Sequence, residues 1–312
     1  MKKALLVFGG IVVVALLSFL GTAFFAAQRA DYGWEPAIVE PTFTFEHPRV
    51  LFDEGHHNAS SASFTGRYWP FARLLRADGY QFEQGDGLFT SDYLDSVRVL
   101  IVANATGAPK PQLFGINIPV FTERQRSDPA FTEPEVAAIR VWVECGGSLL
   151  LIADHAPFGE AASLLSNSFG VTMHKGFVEV TGEVSDPLLF SVENGRLGNH
   201  PIITGGPTGN RITRVMTYTG QSLDGPPNAA VLLRLPETAI EAVPVGDKLE
   251  ERRAGQAQGL AFEVGRGRVV VLGEGGMVTA QVSGRVPYGI NTADNNNKDF
   301  VLNVLRWLAR KL

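Results

Sequence analysis

Six residues combine imidazole and carboxylate chemistry at positions where strands ought to end: Asp53, His56 and His57, then Asp154 and His155, then Glu274. Imidazole and carboxylate together handle protons near neutral pH, or bind zinc, iron or manganese. Three of the six histidines in the chain fall in the first two clusters. Side chains of adjacent residues in extended chain point apart, so one of His56 and His57 would ligate while the other orients or hydrogen-bonds. The candidate metal donors are His56, His57, Asp154 and His155, and a divalent ion held there would activate water. Each cluster also has a plainer use. Asp53, Asn58 and Asp154 are residue types that cap helices. Gly273-Glu274-Gly275-Gly276 reads equally as a turn and as a place where backbone approaches a ligand.

The elements that must position these residues are four short apolar runs, Arg49–Asp53, Arg98–Val102, Ser148–Ile152 and Arg268–Leu272. Each runs straight into polar or charged residues. In an open parallel sheet the carboxyl ends of the strands form one rim, where ligands bind. The clusters, far apart in the chain, are therefore expected to share that rim. Helices are predicted over Arg67–Arg76, where Tyr68, Phe71, Leu74 and Leu75 recur at helical spacing, and after Thr132-Glu133-Pro134-Glu135, a start signal with a cap and an acid three residues on. Two more are expected near Gly159–Phe169 and Lys298–Arg310. Strands without intervening helices mark Val171–Leu235. Glu237–Ala257 reads as a loop or hairpin, and Gly259–Val264 is expected to pair with Arg268–Leu272. The proline-rich stretch Thr106–Phe131 leaves the rim and reads as a lid or as a peripheral insertion. The fold class this predicts is α/β, a doubly wound, mostly parallel, flavodoxin-like sheet with antiparallel additions.

The bulk composition, 45% hydrophobic and 19% charged, suits a chain that buries a sizeable core. A net charge of -5 argues against nucleic acid as a partner. The single cysteine, Cys145, excludes an intramolecular disulfide and any cysteine-based zinc motif. Ala4 to Ala27 is an apolar run long enough to span a bilayer, and longer than the core of a secretory signal. Residues 1–30 are thus expected to be a membrane anchor or signal segment, with an uncleaved transmembrane helix favoured. Lys2 and Lys3 would hold its start inside and put the domain on the periplasmic or outer side, with the membrane as a partner. Residues 31–48, with Pro36, Pro41 and Pro48, read as a linker, and 49–312 as the α/β domain. No Walker loop, dinucleotide fingerprint or Gly-x-Ser-x-Gly elbow occurs in the sequence.

Arg49-Val50-Leu51-Phe52-Asp53-Glu54-Gly55-His56-His57-Asn58, Gly146-Gly147-Ser148-Leu149-Leu150-Leu151-Ile152-Ala153-Asp154-His155, His200-Pro201-Ile202 and Gly267-Arg268-Val269-Val270-Val271-Leu272-Gly273-Glu274 together carry a resemblance. The chain resembles the class I glutamine amidotransferase-like superfamily over most of Arg49 to Leu312, and more narrowly a membrane-anchored bacterial branch known as a domain of unknown function. The resemblance implies a reactive group in the tight turn after a central strand. Here that turn is Asp154-His155-Ala156, without cysteine or serine, and Cys145 precedes the strand. The family's late histidine precedes Pro and Glu, whereas His200 precedes Pro201 and Ile202. A cysteine-dependent glutaminase is therefore excluded. Two readings remain. One is an extracytoplasmic hydrolase-like domain using Asp53, His56, His57, Asp154, His155 and Glu274, with or without a divalent metal. The other is a non-catalytic domain that binds a small molecule, glycan or protein on the same rim, or serves as a scaffold.

Overall fold

The computed structural model describes residues 28–108, 112–113, 116–117, 128–183 and 187–312. The first half contains β1 (Gln28–Ala30), β2 (Arg49–Asp53), α1 (Trp69–Ala77), β3 (Gln81–Gly85), β4 (Val99–Ala103), the short pair β5 (Gln112–Leu113) and β6 (Ile116–Asn117), α2 (Glu133–Glu144) and β7 (Ser148–Ile152). Two short helices follow, α3 (Phe158–Ala161) and α4 (Ser163–Ser168). A β-rich stretch then supplies β8 (Thr172–Met173), β9 (Phe177–Val180) and β10 (Leu188–Ser191), with one helical turn, α5 (Pro201–Thr204). It continues with β11 (Arg214–Thr217), β12 (Leu223–Asp224), β13 (Ala230–Arg234), β14 (Ala239–Val245), β15 (Lys248–Arg253) and β16 (Ala257–Val264). Last come β17 (Gly267–Leu272), β18 (Ala280–Ser283), β19 (Val286–Gly289) and α6 (Asn297–Leu308).

The main sheet runs β3-β2-β4-β7-β17-β16-β12-β8, with β13 also paired to β16. Its first five strands run parallel to one another. From β17 onward every ladder is antiparallel. Four further antiparallel sheets among the described residues, β1-β18-β19, β10-β11, β15-β14-β9 and β5-β6, lie outside it. The expected mostly parallel, doubly wound fold is therefore corrected: the protein is β-rich, with a parallel centre and predominantly antiparallel pairing around it. The cause is in the connections. Only two residues join β16 to β17, a link that an antiparallel pair accepts and a parallel pair does not. Most links between β8 and β19 are likewise too short for a covering helix.

The parallel centre is buried on both faces. Val99, Ile101 and Ala103 of β4, with Leu150 and Ile152 of β7, pack on one side with Phe71, Leu74 and Leu75 of α1 and Phe300, Val304 and Leu305 of α6. Leu100, Val102, Leu149 and Leu151 point the other way, against Val136, Ile139 and Val143 of α2. This period-two division explains the unbroken apolar runs. Residues 31–48, expected as a linker, lie against the domain: Phe43 is buried against Tyr80, with ring centroids 4.5 Å apart, and the Thr42 amide donates to Asp78 Oδ1 at 2.9 Å.

The start of α2 forms as its sequence predicts. The Glu135 carboxylate turns back to accept the Thr132 amide at 3.1 Å and the Thr132 hydroxyl at 2.8 Å. Thr132→Ala removes the hydroxyl and is expected to lower stability by about 0.5–2 kcal/mol, read as an earlier urea midpoint.

Among the described residues no helix is long and apolar enough to cross a membrane. The anchor expected over Ala4 to Ala27 lies outside the described residues. The transmembrane helix, the membrane as a partner and the periplasmic or outer-surface location built on that expectation are withdrawn. Most of the stretch read as a lid also lies outside the described residues.

Candidate functional site

Because β2, β4 and β7 are adjacent and parallel, the residues that follow them gather at one edge of the sheet. There Tyr68, Asn104, Asp154, His155, Gly275 and Gly276 line a cavity of ≈ 110 Å³. Gln28, Arg67 and Gln281 line it from the β1–β18 side, and Phe158, Tyr218, Thr219 and Tyr288 complete the wall.

The turn after β7 is fixed from three directions. The Asp154 amide donates to Asn104 Oδ1 at 2.9 Å. Asp154 Oδ1 accepts the His155 amide at 2.8 Å, and Oδ2 accepts the Gly275 amide at 3.3 Å. Fully buried Gln221 donates to the carbonyls of Ala153 and Asp154, both at 2.9 Å. The His155 ring stacks on Phe177, with centroids 4.8 Å apart. Its Nδ1 lies 2.7 Å from the Ala156 carbonyl. A carbonyl only accepts, so Nδ1 carries the proton and Nε2 of the neutral ring keeps a lone pair.

Tyr68 packs its ring on Phe52 and Phe71, while its hydroxyl accepts from Asn104 Nδ2 at 3.3 Å. Burial, and then the neighbouring Asp154 charge, push the phenol well above its ordinary range; Arg67 opposes this and Glu274 adds to it. Tyr68 therefore stays protonated at neutral pH. Glu274 is fully buried beside the cavity, and its carboxylate accepts the amides of Gly276 at 2.6 Å and Met277 at 2.7 Å. That is a capping geometry for the turn after β17.

Asp53 and His56 share the edge but not the cavity. His56 is buried, with Nδ1 2.8 Å from Asp53 Oδ1 and Nε2 2.9 Å from Glu135 Oε1. Phe89 and Phe131 flank its ring, each with its centroid 4.7 Å away. Burial pushes the imidazole down, but the hydrogen bonds and charges of Asp53 and then Glu135 outweigh it, so the net shift is upward. His57 is exposed, with φ 53°, and its carbonyl accepts the Thr106 hydroxyl at 2.7 Å. The structure thus brings Asp154 and His155 into one cavity, with Glu274 beside it. It draws Asp53 and His56 toward α2 and leaves His57 at the surface.

A divalent metal does not fit this distribution. Both His56 nitrogens are engaged by carboxylates, and among the described residues no group of three or more His, Cys, Asp or Glu side chains is placed to hold an ion. His56, His57, Asp154 and His155 are therefore not a common ligand set, and no step is derived through a metal. Of the remaining histidines, His200 caps α5 by accepting the Ile202 amide at 3.2 Å. Burial and then the Arg268 charge lower its pKa to about 4. His174 faces Asp224 at 2.8 Å.

Sequence reasoning gave Tyr68 a packing role in preference to a place on the rim, and passed over Asn104 and Gln221 as site residues. Helical spacing marked Tyr68 as a packing residue, which its ring is. Asn104 carried a usable signal: an asparagine directly after a buried strand is a residue type that tolerates positive φ, and here φ is 53°. Gln221 had none, because it reaches the turn from a segment 67 residues downstream.

No protein-family model and no curated protein matches the chain. Similar solved structures exist. The N-terminal domain of mmIFT52 matches with a TM-score of 0.53 and 13% identity, covering 83% of this chain and 97% of that one. A ThuA-like protein from Bacteroides uniformis matches with a TM-score of 0.45 and 14% identity, covering 88% and 95%. A ThuA-like protein from Parabacteroides merdae matches with a TM-score of 0.42 and 10% identity, covering 85% and 90%. At these identities the likeness is one of fold alone.

Proposed function

We propose that the cavity binds a small polar organic molecule and that His155 Nε2 acts there as a proton acceptor, in a hydrolase-like reaction that uses neither cysteine nor metal. The observation that carries this reading is the convergence of Tyr68, Asn104, Asp154 and His155, from three separate chain segments, on one polar cavity. A cavity of ≈ 110 Å³ holds on the order of eight waters at about 10–15 Å³ each, and so a ligand of roughly ten heavy atoms or fewer. His155 supplies the base, with its tautomer set by the Ala156 carbonyl. The protonated Tyr68 phenol is a donor for charge that develops on a substrate oxygen. Asp154, held by two backbone amides, orients the ligand.

The test is turnover of a panel of small esters, lactones and amides by the purified protein and by His155→Gln. Loss of a general base is expected to lower the rate by about 10²–10⁴. Equal rates in the two proteins would remove His155 from the chemistry. Binding that depends on Asp154 without any turnover would favour the non-catalytic ligand-binding reading.

A further inference from the structure

We infer that the ligand is a small organic anion, a hydroxy carboxylate whose carboxylate is taken by Arg67; this rests on the cavity being the ligand site. Arg67 is half-buried on the cavity wall. Its backbone is pinned at both ends: the amide donates to Ser60 Oγ at 2.7 Å, and the carbonyl accepts the Thr279 hydroxyl at 2.8 Å. The guanidinium, by contrast, has a single protein hydrogen bond among the described residues, a long one of 3.4 Å to Gln28 Oε1.

Several other half-buried or buried arginines among the described residues are paired with acids. Arg49 pairs with Glu83, Arg73 with Glu35, Arg196 with Glu183, Arg268 with Glu263 and Arg306 with Asp78. Arg67 has no such partner among the described residues, although the Asp154 carboxylate lines the same cavity. A partly desolvated guanidinium presents a fork that matches a carboxylate in two parallel hydrogen bonds. The cavity therefore offers an unpaired cation on one side and a carboxylate with an imidazole lone pair on another. The complementary molecule carries its negative charge at one end and a hydroxyl donor, directed at Asp154 and His155, at the other. Size restricts it to roughly ten heavy atoms or fewer.

Glycerate and glycerol form a matched pair of probes that differ in the carboxylate. Binding to the full chain is followed by saturation-transfer NMR and titration at low ionic strength. Glycerate is expected to bind, and glycerol to bind about ten- to hundredfold more weakly. Arg67→Gln is expected to remove that advantage and leave glycerol unchanged, while Arg67→Lys retains part of it. Raising salt from about 50 to about 300 mM should weaken glycerate selectively. If glycerol binds as tightly as glycerate and Arg67→Gln alters neither, the anion assignment falls while the cavity stands as a site. If neither probe binds, or Asp154→Asn and His155→Gln leave the binding of both unchanged, the site and the assignment fall together.

Discussion

His56→Ala is expected to destabilise the protein by about 3–5 kcal/mol, the range for removing one partner of a buried ionic cluster. The side chain is 6% exposed and bridges Asp53, at the end of β2, to Glu135, in the first turn of α2. Its loss leaves the fully buried Asp53 without its cation, and among the described residues Asp53 Oδ2 has no hydrogen-bond partner. It also opens space between Phe89 and Phe131. The pH dependence separates this role from simple packing. The folded pKa of His56 is raised, so the folded protein binds more protons than the unfolded chain in the interval above about 6.5. Its stabilisation is fully present below that value and is lost as pH rises through the folded pKa. Glu135 works at the other end. Burial alone would raise its pKa, but hydrogen bonds from Thr132, His56 and Phe89 lower it. Its stabilisation is present above the ordinary glutamate range and is lost as pH falls through the depressed value. Urea unfolding of the native protein from pH 6 to 9 should show a decline that His56→Ala lacks. A flat profile in the native protein, or a near-neutral substitution, would dismiss the bridge as a stabilising element.

The contrast between the two histidine clusters shows how far the sequence could be read. The apolar runs at Arg98–Val102 and Ser148–Ile152 announced adjacent strands, because only a doubly covered strand carries so many consecutive apolar residues. With β2, β4 and β7 parallel, the shared edge followed. Which side of that edge each side chain takes is set elsewhere. His56 is pulled to the α2 side by Glu135 and Phe131, residues 75 or more positions away in the chain, whereas His155 is held in the cavity by the Ala156 carbonyl next to it. The pairing sense of β16 was legible in its two-residue link to β17. The small sheets from β8 to β19 were not, since short strands between turns do not specify their partners. Glu274 illustrates the ambiguity of a lone acid among glycines. Its carboxylate is spent on two backbone amides, and its neighbour Gly275, not the acid, meets the ligand space.

That neighbour gives the sharpest test of the cavity. Gly275 has φ -111° and ψ -17°, a conformation open to alanine, so Gly275→Ala does not strain the backbone. The obstacle is space. An added Cβ would stand 2.7 Å from the Tyr68 hydroxyl, 3.2 Å from Asn104 Nδ2 and 3.4 Å from Asp154 Oδ2. The first of these is shorter than any ordinary carbon–oxygen contact. The Tyr68 ring cannot easily retreat, because Phe52 and Phe71 pack against it at centroid distances of 5.5 and 6.4 Å. One methyl group thus occupies the point where three polar cavity groups meet. Overpacking of this kind costs about 1–3 kcal/mol, which leaves a folded protein measurable by urea unfolding. Its effect on the ligand is larger: the methyl displaces the hydroxyl donor that Asp154 and His155 would receive, and glycerate affinity should fall tenfold or more, since each factor of ten needs only about 1.4 kcal/mol. Arg67 remains in place in this variant, so residual binding would depend on charge alone and disappear at high salt. Unchanged glycerate affinity in folded Gly275→Ala would mean that the ligand does not enter between Tyr68, Asn104 and Asp154, and would move the site away from the end of β7.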